Sequence, residues 1–315
     1  MIRVALVGSG SIQNVHARAV LEHPNGELVA IANWREPSAR ALAERYGVPQ
    51  VTTDLEEIVS APDVDAAVIA TPNALHAAQT IALLRSGKHV LVEKPMAMSV
   101  SECDEMIEAS RDSGAFLMVA HCWRFHDEVR AMRDRIAARE LGEVVKTHGY
   151  GVHVNWGPTG WFVDPALAGG GALVDMGVHA IDTARFLLGD PLPTRVCATV
   201  ETRYGDYAVD DVGTLLISWS SGVSSVVESG WWHPHAGGLE ADTEVFGTKG
   251  YARIWDPAPP SDDDEHGSQP MYTAQMAEFL DAIAEGRQPR PSGEDGRVVM
   301  QVVEEAYRSA KRSAG

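Results

Sequence analysis

Residues 1–121 read as an α/β domain built on a parallel sheet, and residues 122–315 as an α+β domain with an open-faced, largely antiparallel mixed sheet. Three observations predict this. Short β-branched runs alternate with longer segments of helical spacing as far as residue 120. A Gly-Ser-Gly turn stands directly behind the first run. Past residue 121, long alternating segments follow one another through hairpin-like turns.

The runs IRVALV, ELVAIAN, AAVIAT, HVLVE and AFLMVA are almost wholly apolar, as strands covered on both faces must be. Between them lie VHARAVLEH, SARALAERYG, ALHAAQTIALLRSG and SECDEMIEASRDSG, with apolar positions at helical spacing. Ser99 and Glu102 form a capping box, and Gly47, Gly87 and Gly114 stand where helices stop. In the second domain the spacing predicts a helix over roughly 126–140. Strands follow in EVVKTHGYGVHVNW, TRVCATVET, GTLLISWS, SSVVESGWW, TEVFG and YARIW, with turns at SSG and GTKG. The helix ALVDMGVHAIDTARFLLG interrupts these strands, and two helices near 271–285 and 294–312 follow them.

The formal net charge of -18 speaks against a nucleic-acid surface, which needs clustered Lys and Arg. The apolar runs are too short for a membrane span, and the start MIRVALVG is unlike a signal peptide. Cys103, Cys122 and Cys197 are odd in number and far apart, so they read as reduced thiols of a cytoplasmic protein. The acidic stretch with Asp262, Asp263, Asp264 and His266 reads as a solvated loop, and no metal site is expected.

The turn Gly8-Ser9-Gly10-Ser11-Ile12 follows a strand and opens a helix, the context of a phosphate-binding turn. Gly8 suits the tight turn, and Gly10 the close approach of a pyrophosphate to the helix N-terminus. Gln13 occupies the third small position, which costs close packing rather than phosphate binding. At the end of the second run stands neutral Asn33, followed by Trp34 and Arg35. An amide and a guanidinium favour a 2′-phosphate, hence NADP(H), with Trp34 available to the adenine face. NAD(H) remains the alternative, because Glu36 is near enough to reach a ribose.

HVLVEKPMAMS puts Glu93, Lys94 and Pro95 at the carboxyl end of the fifth strand, the end at which such sheets bind ligands. On the later helix Asp175 and His179 stand four apart on one face, behind three glycines at 169–171. A histidine there can take the proton of an alcohol, and a carboxylate can orient it or bind substrate. Trp123, Arg124, His153, Trp156, Trp161, Trp231, Trp232 and His233 are candidate pocket residues. Of these, Arg124 and Trp161 are the expected substrate contacts.

These stretches together resemble the Gfo/Idh/MocA family of oxidoreductases. The matching residues are VGSGSI with His16 behind it, TPNALH at 71–76, VLVEKPMAMS at 90–99, GGGALVDMGVHAID at 169–182 and EVFGTKG at 244–250. The resemblance implies an N-terminal Rossmann dinucleotide-binding domain and a C-terminal sheet whose exposed face serves a homo-oligomer, dimer or tetramer. It implies that Lys94 is catalytic together with Asp175 and His179, and that Thr71, Pro72, Asn73 and His76 lie along the cofactor, where Glu93 and Lys94 are expected as well. The expected activity is hydride transfer between a nicotinamide and a hydroxyl-bearing carbon of a sugar, cyclitol or related polyol. A nicotinamide-dependent glycoside hydrolase and a dinucleotide-sensing regulator are the alternatives.

Overall fold

The computed structural model describes residues 1–153, 158–231, 240–255 and 268–313. Trp156, Trp232, His233 and the acidic stretch 262–266 lie outside the described residues. The chain divides into two compact units, Met1–Cys122 with Asp264–Arg297, and Trp123–Asp263 with Val298–Gly315.

The first unit runs β1 (Ile2–Val7), α1 (Ile12–Glu22), β2 (Gly26–Ala32), α2 (Glu36–Tyr46), β3 (Gln50–Thr52), α3 (Leu55–Ser60), β4 (Ala66–Ile69), α4 (Asn73–Arg85), β5 (His89–Glu93), α5 (Val100–Ser113) and β6 (Leu117–Ala120). Its strands make one parallel sheet in the order β3-β2-β1-β4-β5-β6. That is the Rossmann order, in which the direction of winding reverses between β1 and β4 and opens a crevice at their carboxyl ends. Val4 to Leu6, Val68, Ile69 and Val90 to Val92 are wholly buried, as crossover helices on both faces require. β3 and α3 fall outside the sequence expectation, since a three-residue strand is too short to show a period. The Ser99 hydroxyl accepts from the Glu102 N–H at 3.2 Å, as in a capping box, and the Glu102 carboxylate reaches back to the Met98 N–H, one residue before the N-cap, at 2.8 Å.

The second unit contains α6 (Asp127–Ala137), β7 (Val144–His153), α7 (Pro165–Ala168), a π-helical turn at Leu173–Gly177 leading into α8 (Val178–Leu187), then β8 (Pro193–Glu201), β9 (Val212–Trp219), β10 (Ser224–Trp231), β11 (Glu240–Gly247) and β12 (Gly250–Arg253). Its sheet has the order β12-β11-β7-β10-β9-β8. Only the β7–β10 pair is parallel among the described strands. Leu215, Ile217, Val227 and Val245 point inward and are wholly buried. The alternate positions form a row on the other face, Cys197, Leu216, Val226, His148 and Glu244, set by the strand register.

Two helices close the chain, α9 (Gln269–Glu285) and α10 (Gly293–Ser313). The sequence reading placed both in the second domain, but α9 belongs to the first unit and packs along α1. The Thr273 hydroxyl donates to the Glu22 carboxylate at 2.7 Å, and the Gln269 amide donates to the Val15 carbonyl at 3.2 Å. Met276, Phe279 and Leu280 of α9 are fully buried, and so are Ala17, Ala19 and Val20 of α1. An apolar face of α1 that a sheet alone would leave half covered thereby finds its cover.

Candidate active site

The glycine loop keeps the backbone it needs. Gly8 has φ +106, and a Cβ there would lie 2.3 Å from the Ala70 carbonyl oxygen, so only glycine fits. At Gly10 a Cβ would meet nothing within 4 Å. Nothing in the chain itself demands a glycine there, and the open space is a cradle that a side chain would fill. Ser11, exposed at the head of α1, makes no side-chain cap, and Ile12 opens the helix, so the helix end stays available to an anion. These residues fit a dinucleotide pyrophosphate. Gln13 behaves differently from expectation. Its side chain is wholly buried, and its amide nitrogen donates to the carbonyls of Val7 at 2.9 Å and Val68 at 3.3 Å. It thus bridges the ends of β1 and β4 beneath the loop where a small residue would pack.

At the end of β2 the Asn33 amide nitrogen donates to the hydroxyls of Ser9 at 2.7 Å and Ser38 at 2.9 Å. Asn33 therefore ties the glycine loop to the start of α2. Trp34 is 70% exposed, and the Arg35 guanidinium lies over its ring, 4.4 Å from the centroid. Glu36 points along α2 to Arg40, whose Nε donates to it at 2.9 Å.

Lys94, half-buried, follows β5. The Lys94 N–H donates to Glu93 Oε2 at 3.1 Å, and the other carboxylate oxygen faces His16 Nε2 at 2.7 Å. Burial opposes charge on Glu93, but His16 and Lys94 outweigh it and hold the carboxyl below the usual carboxylate range. On the other side of the turn, His76 has Nδ1 2.8 Å from the Pro95 carbonyl oxygen and Nε2 2.9 Å from that of Thr71. Glu93 and His76, expected along the cofactor, are 7% and 1% exposed, with their polar atoms spent inside the unit. Asn73 is buried too, Pro72 is half-buried, and the Thr71 hydroxyl donates to Gln79 Oε1 at 2.7 Å.

In the second unit Asp175 lies in the π-helical turn and His179 in the first turn of α8. Asp175 is half-buried, and one of its oxygens accepts from the indole N–H of the fully buried Trp231 at 3.0 Å. The support for this helix was not visible in the sequence. Asp210 accepts from the N–H groups of Gly171 and Leu173, both at 2.8 Å, and from the Tyr307 hydroxyl at 2.6 Å. Burial raises the Asp210 carboxyl above its ordinary pKa, although these donors pull it back. The run of glycines has its cause here. A Cβ at Gly170 would lie 2.2 Å from the Tyr307 hydroxyl, and one at Gly171 would lie 1.8 Å from the Asp210 carbonyl oxygen. Next to it, buried Asp211 accepts from the N–H groups of Arg203, Tyr204 and Gly205 and from the Tyr207 hydroxyl. The Tyr207 ring in turn meets Trp231 edge-on, at 6.1 Å between centroids.

Arg124, expected as a substrate contact, sits in an ion-pair cluster of the second unit. It is 5% exposed, and it donates to both oxygens of Asp182 at 2.8 and 2.7 Å while its remaining terminal nitrogen lies 3.0 Å from Asp190. These contacts engage all three guanidinium nitrogens of Arg124. Arg124→Ala should cost about 3–5 kcal/mol of stability, because it strands a buried Asp182 carboxylate; denaturant titration against wild type measures this. Trp161 is half-buried and stacks on Phe162 at 3.9 Å. Trp123 packs among His126 and Trp255. No group of three or more His, Cys, Asp or Glu side chains able to hold a metal ion occurs among the described residues.

The family model for the oxidoreductase family with a NAD-binding Rossmann fold matches residues 2–121, and that for the GFO/IDH/MocA C-terminal domain matches residues 129–253. The chain is 32% identical to 1,5-anhydro-D-fructose reductase of Ensifer adhaerens, over 94% of this chain and 92% of that protein. It is 30% identical to inositol 2-dehydrogenase of Rhizobium meliloti (strain 1021), over 98% and 96%. Among solved structures, GenD2 from gentamicin A biosynthesis in complex with NAD superposes with a TM-score of 0.90 at 27% identity, over 99% of this chain and 95% of that one. Levoglucosan dehydrogenase in complex with NADH gives 0.87 at 25%, over 99% and 97%. With the dinucleotide loop in one unit, the anchored Asp175 and His179 helix in the other and relatives along its whole length, the chain belongs to the Gfo/Idh/MocA family of oxidoreductases.

Proposed function

We infer that the chain is an NAD(P)-dependent dehydrogenase or reductase acting on a hydroxyl-bearing carbon of a sugar, cyclitol or related polyol. The observation that carries this reading is the helix with Asp175 and His179, whose approach is fixed by Asp210 and Tyr307 in a chain that also holds an open dinucleotide loop. A dinucleotide held at the Gly8-Ser9-Gly10-Ser11 loop would supply the hydride-transfer chemistry. His179 takes the hydroxyl proton, and Asp175, oriented by the Trp231 indole N–H, binds or polarises that hydroxyl. Lys94 orients the hydroxyl and stabilises developing alkoxide charge. The 1,5-anhydro-D-fructose reductase, inositol 2-dehydrogenase and levoglucosan dehydrogenase that the chain resembles are by name dehydrogenases or reductases, which favours this reading over hydrolysis or regulation. The test is a screen of pyranoses, inositols and levoglucosan, followed at the reduced-nicotinamide absorbance band. Sugar released with no absorbance change would transfer the reading to a hydrolase.

Within this reading the preferred cofactor is NADP(H). Arg35 held on Trp34, a neutral Asn33 and a Glu36 turned to Arg40 leave a cationic rather than an anionic edge for the adenosine ribose. Arg35→Ala should weaken NADP(H) about tenfold, roughly the 1.4 kcal/mol of one charge-assisted contact, and Asn33→Asp should move preference toward NAD(H). Fluorescence titration with both dinucleotides measures each; a wild type that binds NAD(H) more tightly refutes the assignment. A cytoplasmic homo-oligomer, dimer or tetramer, completes the reading. It is supported by Leu216 and Tyr251, each 49% exposed on the second sheet, and light scattering tests the assembly.

A further inference from the structure

Among the described residues of the first unit, two fully buried histidines, His16 and His76, have no direct part in the proposed reaction, yet both reach the turn that carries Lys94. They come from different places. His16 lies on α1, directly behind the glycine loop, and His76 lies on α4, directly behind the Thr71-Pro72-Asn73 turn. Each is joined to the lysine turn through main-chain atoms or through Glu93. From one side, Glu93 spends one oxygen on His16 at 2.7 Å and the other on the Lys94 N–H at 3.1 Å. From the other side, His76 spans the Pro95 and Thr71 carbonyls at 2.8 and 2.9 Å.

The chemistry of these contacts fixes direction as well as place. A carboxylate only accepts, so His16 presents Nε2–H to it. A buried carboxylate that lost either donor would carry an uncompensated charge, so Glu93 resists rotation about its own side chain. The residues before and after Lys94 are thus gripped by groups that originate in the two loops expected to hold the dinucleotide.

We propose that Glu93 with His16, and His76 from the opposite side, are positioning residues that set the direction of the Lys94 side chain through the main chain of the Glu93-Lys94-Pro95 turn. This rests on the reading of Lys94 as a catalytic group. It assigns to Glu93 and His76 a task different from contact with the cofactor, and it links the glycine loop to the reacting lysine through a single helix and a single carboxylate.

The test is a double-mutant cycle on the full-length protein. Glu93→Gln keeps the shape of the side chain and removes its charge; His76→Leu removes both bridging contacts. Each should lower kcat about 10–100-fold, the cost of a small misplacement of a reacting group, with the dissociation constant for NADPH and for NADH within twofold of wild type. Combined with Lys94→Met, Glu93→Gln should cost nothing further, because a residue that acts through Lys94 has nothing left to position. A further loss of the same factor in the Lys94→Met background overturns the proposal, as does an unchanged kcat in both single variants. Should His76→Leu fail to fold, the isosteric Glu93→Gln decides alone. A second measurement is independent of any sugar: the acetylation rate of Lys94 by N-hydroxysuccinimidyl acetate, read by peptide mass spectrometry. Glu93→Gln should change it at least threefold while the rate at Lys249 stays constant; equal rates at Lys94 in wild type and variant overturn the proposal. A fully active Lys94→Met enzyme refutes the catalytic reading of the lysine itself, an outcome distinct from inert Glu93→Gln beside a dead Lys94→Met.

Discussion

Lys94→Met is expected to reduce turnover by about 10²–10³-fold, the usual cost of removing one group that stabilises developing negative charge. Methionine keeps an unbranched stem of similar length, so the packing of the turn after β5 is preserved while the ammonium is lost. The Lys94 N–H bond to Glu93 and the Pro95 contact with His76 are main-chain interactions and survive the substitution. Dinucleotide affinity should therefore stay within about fivefold, since the glycine loop is untouched and one contact of this kind is worth about 1 kcal/mol. Single-turnover kinetics with a sugar found in the screen, beside fluorescence titration of the dinucleotide, separate the two effects. A variant with unchanged turnover would remove the lysine from the mechanism, and one that no longer binds the dinucleotide would make it a binding residue instead.

Asp210→Ala should produce a large stability loss in the second unit, comparable to that of Arg124→Ala. The carboxylate satisfies two backbone N–H groups at the start of the Asp175 helix and one buried tyrosine hydroxyl. Removing it strands all three, at about 1–3 kcal/mol each, so the sum is on the order of 4 kcal/mol once water reaches part of the space. Tyr307→Phe removes one partner and should cost about 1 kcal/mol. Denaturant midpoints at constant slope test both. The consequence extends to activity, because Gly171 and Leu173 lie four and two residues before Asp175, and a frayed start leaves that carboxylate unfixed. If Asp210→Ala kept both its midpoint and its turnover, the anchoring role assigned to this pair would be wrong.

Periodicity revealed the parallel sheet because its strands are covered on both faces and read as unbroken apolar runs. It missed β3, where three residues carry no period. The candidate site was proposed where its residues are local: the glycine loop, the lysine turn and the four-residue step from Asp175 to His179 are each short words in the sequence. What holds them in place was hidden because it acts over distance. Asp210 reaches Gly171 across 39 positions, and Glu93 reaches His16 across 77. Arg124 shows the same limit: the sequence offered it as a ligand group, while its bond to Asp182, 58 positions away, was out of sight. Gln13 misled in the opposite direction, since a pattern written for small residues has no place for an amide that finds two strand carbonyls.

The return of Asp264–Arg297 to the first unit has a consequence for recombination. A cofactor module cannot be grafted from one relative to another by a single crossover after Cys122, because the graft would arrive with its own α1 but a foreign α9. Productive exchange must carry both segments at once, so specificity for the dinucleotide and for the polyol should drift in this lineage by point substitution rather than by shuffling.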